Sequence, residues 1–329
     1  MARICLIGGS GFLGRNIAEL LVRDQHFLIV PARRRERAKR NLILLPTIDL
    51  VEANVHDDSA LDRALSGCDA VINLVGVLHS RPASPYGPDF ARAHVELPQR
   101  IVRACGRVGV RRLIHVSALG AAADAPSEYQ RSKGAGEAVI LGASRTLGVT
   151  IFRPSVVFGM DDQFLNLFAA MQRLLPFVVL AGAEAKFQPV FVGDVARAIV
   201  ASIDDEESFG KRYDLAGPSV YTLRELVAYA GLMAKCQRPI ISVGPGIGML
   251  QARLMECGIV KFILGRQLLS RDNLRSMQVD NVSSAPFPFG ITPTPLESVA
   301  PTYLSGVYAR SRYSTYRYRA GRSPGFMQR

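Results

Sequence analysis

The chain has 329 residues, enough for one or two domains with a full core, and its 48% hydrophobic and 21% charged content is that of a globular protein rather than a disordered one. Its net charge is +12, and 34 of its 40 basic residues are arginine, so the partners it suits are anionic: phosphate groups, nucleic acid, acidic proteins or anionic lipid. Five scattered cysteines without a CxxC argue against a disulfide framework, five unclustered histidines offer no metal site, and no apolar run approaches the ~18 residues of a membrane span.

From the N-terminus, short apolar runs predict strands over 3–7, 27–31, 47–51, 70–75, 112–116 and 149–153. Amphipathic helices are expected between them, among them 15–24, where Ile17, Leu20 and Leu21 share a face, and 90–109. The apolar run at the N-terminus breaks at Gly8, which fits no signal peptide, so a reduced, cytoplasmic-type compartment is expected. Strand and helix alternation implies βαβ units and an α/β class: a Rossmann-type, doubly wound parallel sheet covered on both faces. Beyond residue 155 the pattern loosens, with helices expected over 163–175, 194–203 and about 222–234 and a strand over 212–216. The expected organisation is a core over 1–160, a smaller lobe over 161–304 interleaved with the last core elements near 212–216, and a flexible Arg/Tyr tail over 305–329.

The stretch GGSGFLG (8–14) places Gly8, Gly11 and Gly14 between the first strand and the first helix. Glycines there let the backbone turn tightly and bring the amides of Phe12 and Leu13, at the positive end of a helix, against a pyrophosphate. The third glycine lets helix pack closely on strand. The end of the second strand selects the cofactor. An acid there would hold the ribose 2′-hydroxyl of NAD, but the chain reads Ala32-Arg33-Arg34-Arg35 with no acid before Glu36. Guanidinium groups at Arg33 and Arg34 suit a 2′-phosphate, so NADP(H) is expected over NAD(H).

Tyr129 and Lys133 form a Y-x-x-x-K whose spacing sets both on one helical face just after the fifth strand. An ammonium beside a phenol stabilises phenolate, and the tyrosine can then exchange a proton with an alcohol or carbonyl. The spacing alone is weak and equally fits a lysine that only binds ribose. Asp161 and Asp162 are adjacent, point apart and read as a turn rather than a carboxylate pair, and Asp194 reads as a helix N-cap.

Together GGSGFLG, Asn73-Leu74-Val75-Gly76, Tyr129/Lys133 and Arg153-Pro154-Ser155 resemble the short-chain dehydrogenase/reductase superfamily of the extended or atypical kind, the NAD-dependent epimerase/dehydratase family, over about residues 1–300. Longer stretches, among them HVSALGA (115–121), SEYQRSKGAGE (127–137), FRPSVVFGMDDQFLN (152–166) and YDLAGPSVYTLREL (213–226), are similar to one atypical branch, which includes the NADPH-binding accessory subunit of mitochondrial complex I and bacterial relatives. The resemblance implies a cofactor site of Gly8, Gly11, Phe12, Leu13, Gly14, Arg33, Arg34, Asn54, Val55, Leu74, Val75, Gly76, Ser117, Tyr129, Lys133, Pro154 and Val156. Asn54 stands where many relatives carry an Asp near the adenine. The chain departs from the extended pattern in its reaction half. Leu119 replaces the usual catalytic Ser or Thr, leaving Ser117 as a substitute set deep in the strand, and His94 replaces an Asn of the fourth helix. His94 is read as a half-buried ring with satisfied nitrogens.

The tail sets Tyr308, Tyr313, Tyr316 and Tyr318 among Arg310, Arg312, Arg317, Arg319, Arg322 and Arg329. It reads either as a solvated tail or as a contact with anionic lipid or a membrane-associated complex, and no nucleic-acid fold accompanies its charge. Three functions stay open. One is an NADP(H)-stabilised structural or assembly role at a complex I-like assembly, peripheral to the inner membrane, which the resemblance implies. The second is an oxidoreductase or epimerase on a small apolar or quinone-like substrate using Tyr129 and Lys133. The third is an NADP(H) redox sensor.

Overall fold

The computed structural model describes residues 1–256 and 270–305. The Arg/Tyr tail beyond residue 305 therefore lies outside the described residues, as does Cys257. The first half alternates as expected: β1 (Arg3–Ile7), α1 (Phe12–Arg23), β2 (Phe27–Ala32), α2 (Arg35–Leu42), β3 (Ile48–Glu52), α3 (Asp58–Leu65) and β4 (Ala70–Asn73). One long helical stretch then runs through α4 (Pro88–Phe90), a π-helical turn (Ala91–Glu96) and α5 (Leu97–Val108) into β5 (Arg112–Val116), α6 (Glu128–Gly142) and β6 (Gly148–Pro154).

The second half contains β7 (Val157–Phe158), α7 (Leu165–Leu174), β8 (Val178–Ala181), β9 (Lys186–Phe187), β10 (Val190–Phe191), α8 (Val192–Ala201), β11 (Arg212–Leu215), β12 (Tyr221–Thr222), α9 (Leu223–Met233), β13 (Ile240–Val243) and α10 (Pro245–Glu256). The helices Arg271–Ser276 and Leu296–Leu304 follow.

Seven strands form one parallel sheet in the order β11-β6-β5-β4-β1-β2-β3. The central strands are buried end to end because helices cover both faces, which is why they read as largely apolar runs. On one face Ile4, Leu6, Ile72, Ile114 and Val116 pack with α1 and α8; on the other Cys5, Ile7, Val71 and Leu113 pack with α3, α5 and α6. A third core joins α7 and α9 with Leu296, Tyr303 and Leu304. The strand order reverses between β1 and β4, and the crevice outside their carboxyl ends is the place such sheets offer to a ligand.

The adjacent acids behave as a turn. Asp162 is buried and accepts from the N–H groups of Gly159, Phe164, Leu165 and Asn166 and from the Tyr303 hydroxyl (2.8 Å), whereas Asp161 pairs with Arg15 (3.1 Å). Asp194 departs from its expected role. The residue before α8 is Phe191, and Asp194 sits inside the first turn, fully buried, accepting from Thr294 N–H and Oγ1 and from Arg197. A carboxylate three residues into a helix still meets the positive end of the dipole, but here it ties in a segment from the far end of the chain.

Candidate functional site

The glycine loop closes on itself. Gly8 has a φ of +87°, a region that favours glycine, and its amide environment abuts the loop after β4: a Cβ there would lie 3.4 Å from Leu74 and from the Val75 nitrogen. A Cβ on Gly14 would lie 2.5 Å from Gly9 Cα and 2.6 Å from Gly8 O, so only glycine lets α1 approach this closely. The start of α1 at Gly11 has no side-chain cap and no acid in its first turn. The leading amides of Phe12 and Leu13 therefore face outward at a positive helix end that the chain does not neutralise. The cradle a Cβ would fill and the uncapped helix end fit a pyrophosphate.

The other sequence-derived positions lie along the same edge of the sheet. Arg33 and Arg34 follow β2, Asn54 and Val55 follow β3, Leu74 to Gly76 follow β4, Ser117 follows β5, and Pro154 and Val156 end or follow β6. Arg33 and Arg34 are exposed and their side chains make no hydrogen bond or ion pair with described residues, whereas Arg35 donates from Nε to Leu50 O (3.0 Å). Asn54 Oδ1 accepts from His56 N–H (3.2 Å), so its amide is partly engaged. Val55 packs into the core below α5; Pro154 accepts from Leu119 N–H (3.0 Å), and Val156 accepts from Val190 N–H (3.0 Å).

Around Tyr129 the arrangement is closed. Val77 N–H donates to His94 Nε2 (3.0 Å), so the ring proton sits on Nδ1 and donates to Ser132 Oγ (2.8 Å), whose O–H donates to Tyr129 C=O (2.7 Å). His94 is thus fully buried rather than half-buried, with both nitrogens bonded, and burial with Lys133 nearby pushes its pKa down to about 2. The ring belongs to the π-helical turn, against which α6 packs so tightly that a Cβ on Gly136 would meet His94 O at 2.1 Å. The Tyr129 ring stands edge-on to His94 and Phe90, and burial pushes its phenol up to about 12. Lys133 is buried, donates from Nζ to Val116 O (3.2 Å), and is pushed down to about 8 by burial.

Sequence reasoning missed three partners. Asn73 accepts from Val75 N–H (3.2 Å), which orients its amide to donate to His115 Nδ1 (3.1 Å) across β4 and β5. His115 then carries its proton on Nε2, which is buried without a partner among described residues, as is Ser117 Oγ. Alternation along β5 turns both toward the layer of α6 and Lys133. A polar residue closing an otherwise apolar strand, as in AVIN (70–73), was the available signal for Asn73. Asp272 is the third. Its carboxylate accepts from the N–H groups of Glu128 (2.7 Å) and Tyr129 (3.0 Å), capping α6 across 144 residues, and nothing local in the sequence announces it.

The two histidines set an acid limit. Burial holds His94 at about 2 and His115 at about 3, below their ordinary 6.5. The unfolded chain therefore binds protons that the native chain refuses, and stability is lost as pH falls below about 6.5. Urea unfolding between pH 7 and pH 5 is expected to show stability falling by up to ~2.7 kcal/mol per pH unit from these two groups. A flat profile over that range would contradict the neutral, bonded rings.

Residues 4–216 match the NAD dependent epimerase/dehydratase family, and the chain belongs to it. The fold is one that binds nicotinamide dinucleotides. Among curated proteins the chain is 34% identical over 226 residues to the mitochondrial NADH dehydrogenase (ubiquinone) 1 alpha subcomplex subunit 9 of Arabidopsis thaliana, across 67% of this chain but 55% of that protein's length. The subunit of the same name from Mus musculus is 31% identical over 326 residues, covering 95% of this chain and 81% of its own. The fold is also that of a nucleoside-diphosphate-sugar epimerase from Staphylococcus aureus, with a TM-score of 0.68 at 18% identity over 92% of this chain and 99% of that one. No helix among the described residues is long and apolar enough to cross a membrane.

Proposed function

We propose that the chain binds NADP(H) in preference to NAD(H) and serves as a dinucleotide-stabilised structural or assembly subunit of a complex I-like, membrane-associated complex. The observation that carries this reading is the contrast between the two halves of the site. The glycine cradle and the bare start of α1 are complete, while the reaction half is reduced: Leu119 is a buried apolar side chain, His94 is held as a neutral ring with no free nitrogen, and Tyr129 is pushed up to about 12. The loss of donors aimed at developing charge costs ~10²–10³ in rate, which fits a retained cofactor better than turnover.

In this reading Gly8, Gly11, Phe12, Leu13 and Gly14 hold the pyrophosphate, and Arg33 or Arg34 takes the 2′-phosphate. Asn54 and Val55 border the adenine. Leu74, Val75, Gly76, Pro154 and Val156 line the nicotinamide side, with Ser117, Tyr129 and Lys133 toward its ribose. The bound cofactor supplies hydride chemistry if any occurs. Relatives named as mitochondrial NADH dehydrogenase (ubiquinone) 1 alpha subcomplex subunit 9, matched over 95% of this chain, support the assembly role. The cofactor stabilises by mass action, ~4 kcal/mol at a thousand times its dissociation constant. Fluorescence titration is expected to give tighter NADPH than NADH binding, with Arg33→Ala or Arg34→Ala costing about ten- to a hundredfold for NADPH alone, the worth of a charge-assisted contact. Equal affinities, unaltered by both substitutions, would contradict the preference. Tyr129 and Lys133 on one face of α6 favour slow oxidoreduction as a second reading, for which turnover lost in Tyr129→Phe is the test.

A further inference from the structure

The amino-terminal edge of the sheet, opposite the glycine loop, is left open at one corner. A hollow of about 370 Å³ lies between the starts of β1, β2 and β3, lined among others by Arg3, Phe27, Pro46, Thr47 and Asp49. Strand pairing sets Arg3 beside Phe27 and Ile29 beside Asp49. Cys5, Ile29 and Val51 face the layer of α3 and α5, so alternation along the three strands turns Arg3, Phe27 and Asp49 to that same face. All three are exposed, the Phe27 ring by 49%. Phe27 stands on the middle strand, with Arg3 on one neighbour and Asp49 on the other. Strand spacing puts the Cα atoms of Arg3 and Asp49 roughly 12 Å apart.

Neither charge is spent: the Arg3 guanidinium and the Asp49 carboxylate make no hydrogen bond or ion pair with described residues. Asp69 adds an acid on the Arg3 side, but its Oδ2 accepts from the Arg3 backbone N–H (2.7 Å), and Thr47 Oγ1 donates to His26 O (2.8 Å). The connection into β3 adds two exposed apolar side chains, Ile43 and Leu44. An apolar centre flanked by one cation and one anion is complementary to itself. A twofold axis near Phe27 would set the two rings together, Arg3 against the partner's Asp49 and Asp49 against the partner's Arg3, which is the pairing an isologous interface requires. We propose that this corner of the sheet is a docking surface for a second copy of the chain. An anionic lipid surface would be repelled by Asp49, and a wholly apolar ligand would leave both charges unmet. The dinucleotide reading concerns the carboxyl edge, and the dimer stands without it.

The test is sedimentation equilibrium of the full-length protein, with and without NADPH. A monomer–dimer equilibrium is expected in both. Arg3→Asp sets two acids against each other at both ends of the interface, and Asp49→Arg sets two cations there, so each should raise the dimer dissociation constant about tenfold or more. Charge swapping then decides. Mixing Arg3→Asp with Asp49→Arg chains restores both ion pairs and should return a mixed dimer, and the Arg3→Asp/Asp49→Arg double variant should dimerise with itself again. Phe27→Ser should weaken the dimer without rescue by either mixture. All three side chains are exposed, and circular dichroism confirms that each variant is folded. If one charge variant does not fold, Phe27→Ser and the other charge variant, whose weakened dimer should be strengthened by high salt that screens the like charges, carry the test. A chain that stays monomeric up to about 100 µM, or a dimer that these substitutions leave unchanged, would overturn the proposal. A dimer that forms in a chain unable to bind NADPH would uphold it while sinking the dinucleotide reading.

Discussion

Gly14→Ala is expected to weaken dinucleotide binding sharply. The added methyl would stand 2.5–2.6 Å from Gly9 Cα, Gly9 C and Gly8 O, and all three are backbone atoms. No side-chain rotation relieves that overlap. Either α1 moves off the loop or the loop opens, and each misplaces the amides of Phe12 and Leu13 at the pyrophosphate position. Overpacking of this kind costs ~1–3 kcal/mol, so NADPH affinity is expected to fall by up to about a hundredfold, with a comparable loss of unfolding free energy. Gly106→Ala is the control. Gly106 is exposed on α5 with nothing within 4 Å of an added Cβ, so the same exchange there should stabilise by up to ~1 kcal/mol through helix propensity. Isothermal titration and urea unfolding of both variants check the pair. Undiminished NADPH affinity in Gly14→Ala would remove the glycine loop from the cofactor site.

Glu137→Ala is expected to be the most damaging single change to stability outside the glycine loop. Glu137 lies on α6, 2% exposed, one turn beyond Lys133, and its carboxylate takes two bonds from Arg153 of β6, at Nε (2.8 Å) and Nη2. Arg212 of β11 approaches to 3.8 Å. Removing the carboxylate leaves a mostly buried guanidinium facing a second cation, and breaking a buried pair from one side costs ~3–5 kcal/mol. The substitution also acts on the site: Glu137 is the charge that opposes burial at Lys133, whose pKa stands at about 8. Its loss should lower the Lys133 value further. Because the native pKa lies below the ordinary 10.5, the unfolded chain binds the extra proton, and this group's contribution rises with pH from about 8 to about 10.5. In Glu137→Ala that rise should begin at lower pH. Unfolding experiments across pH 7 to 10 read both effects. A loss under about 1 kcal/mol would show the pair to be solvated.

Much of the sheet was legible because its strands are buried on both faces, so RICLI, FLIVP and RLIHV carry their own apolar signal. The helix α2 was not legible. Its sequence, RERAKRNL, buries only Ala38 and Leu42, and a helix with so narrow an apolar stripe reads as a basic block. Within that block sequence alone could not divide the arginines, yet the fold does: Arg35 is spent on Leu50 O, and Arg33 and Arg34 remain outward. The glycine loop and the Tyr129/Lys133 spacing are local patterns and were readable as such. The groups that orient them are not local. His94 meets Ser132 across 38 residues, Asn73 meets His115 across 42, and Asp272 reaches the start of α6 across 144, so only the folded chain places them. The same holds for Asp194. Its position near a helix start suggested a cap, but burial and Thr294 give it a tertiary partner instead.

The central claim is that this chain keeps a dinucleotide as part of its structure. The most direct measurement is to denature the purified full-length protein, extract any nucleotide and identify it by mass. Stoichiometric NADP(H), retained through purification and stabilising the refolded chain against heat, is the expected result. A chain that carries no nucleotide and binds neither NADPH nor NADH on titration would contradict it, leaving the glycine cradle without the ligand its geometry fits.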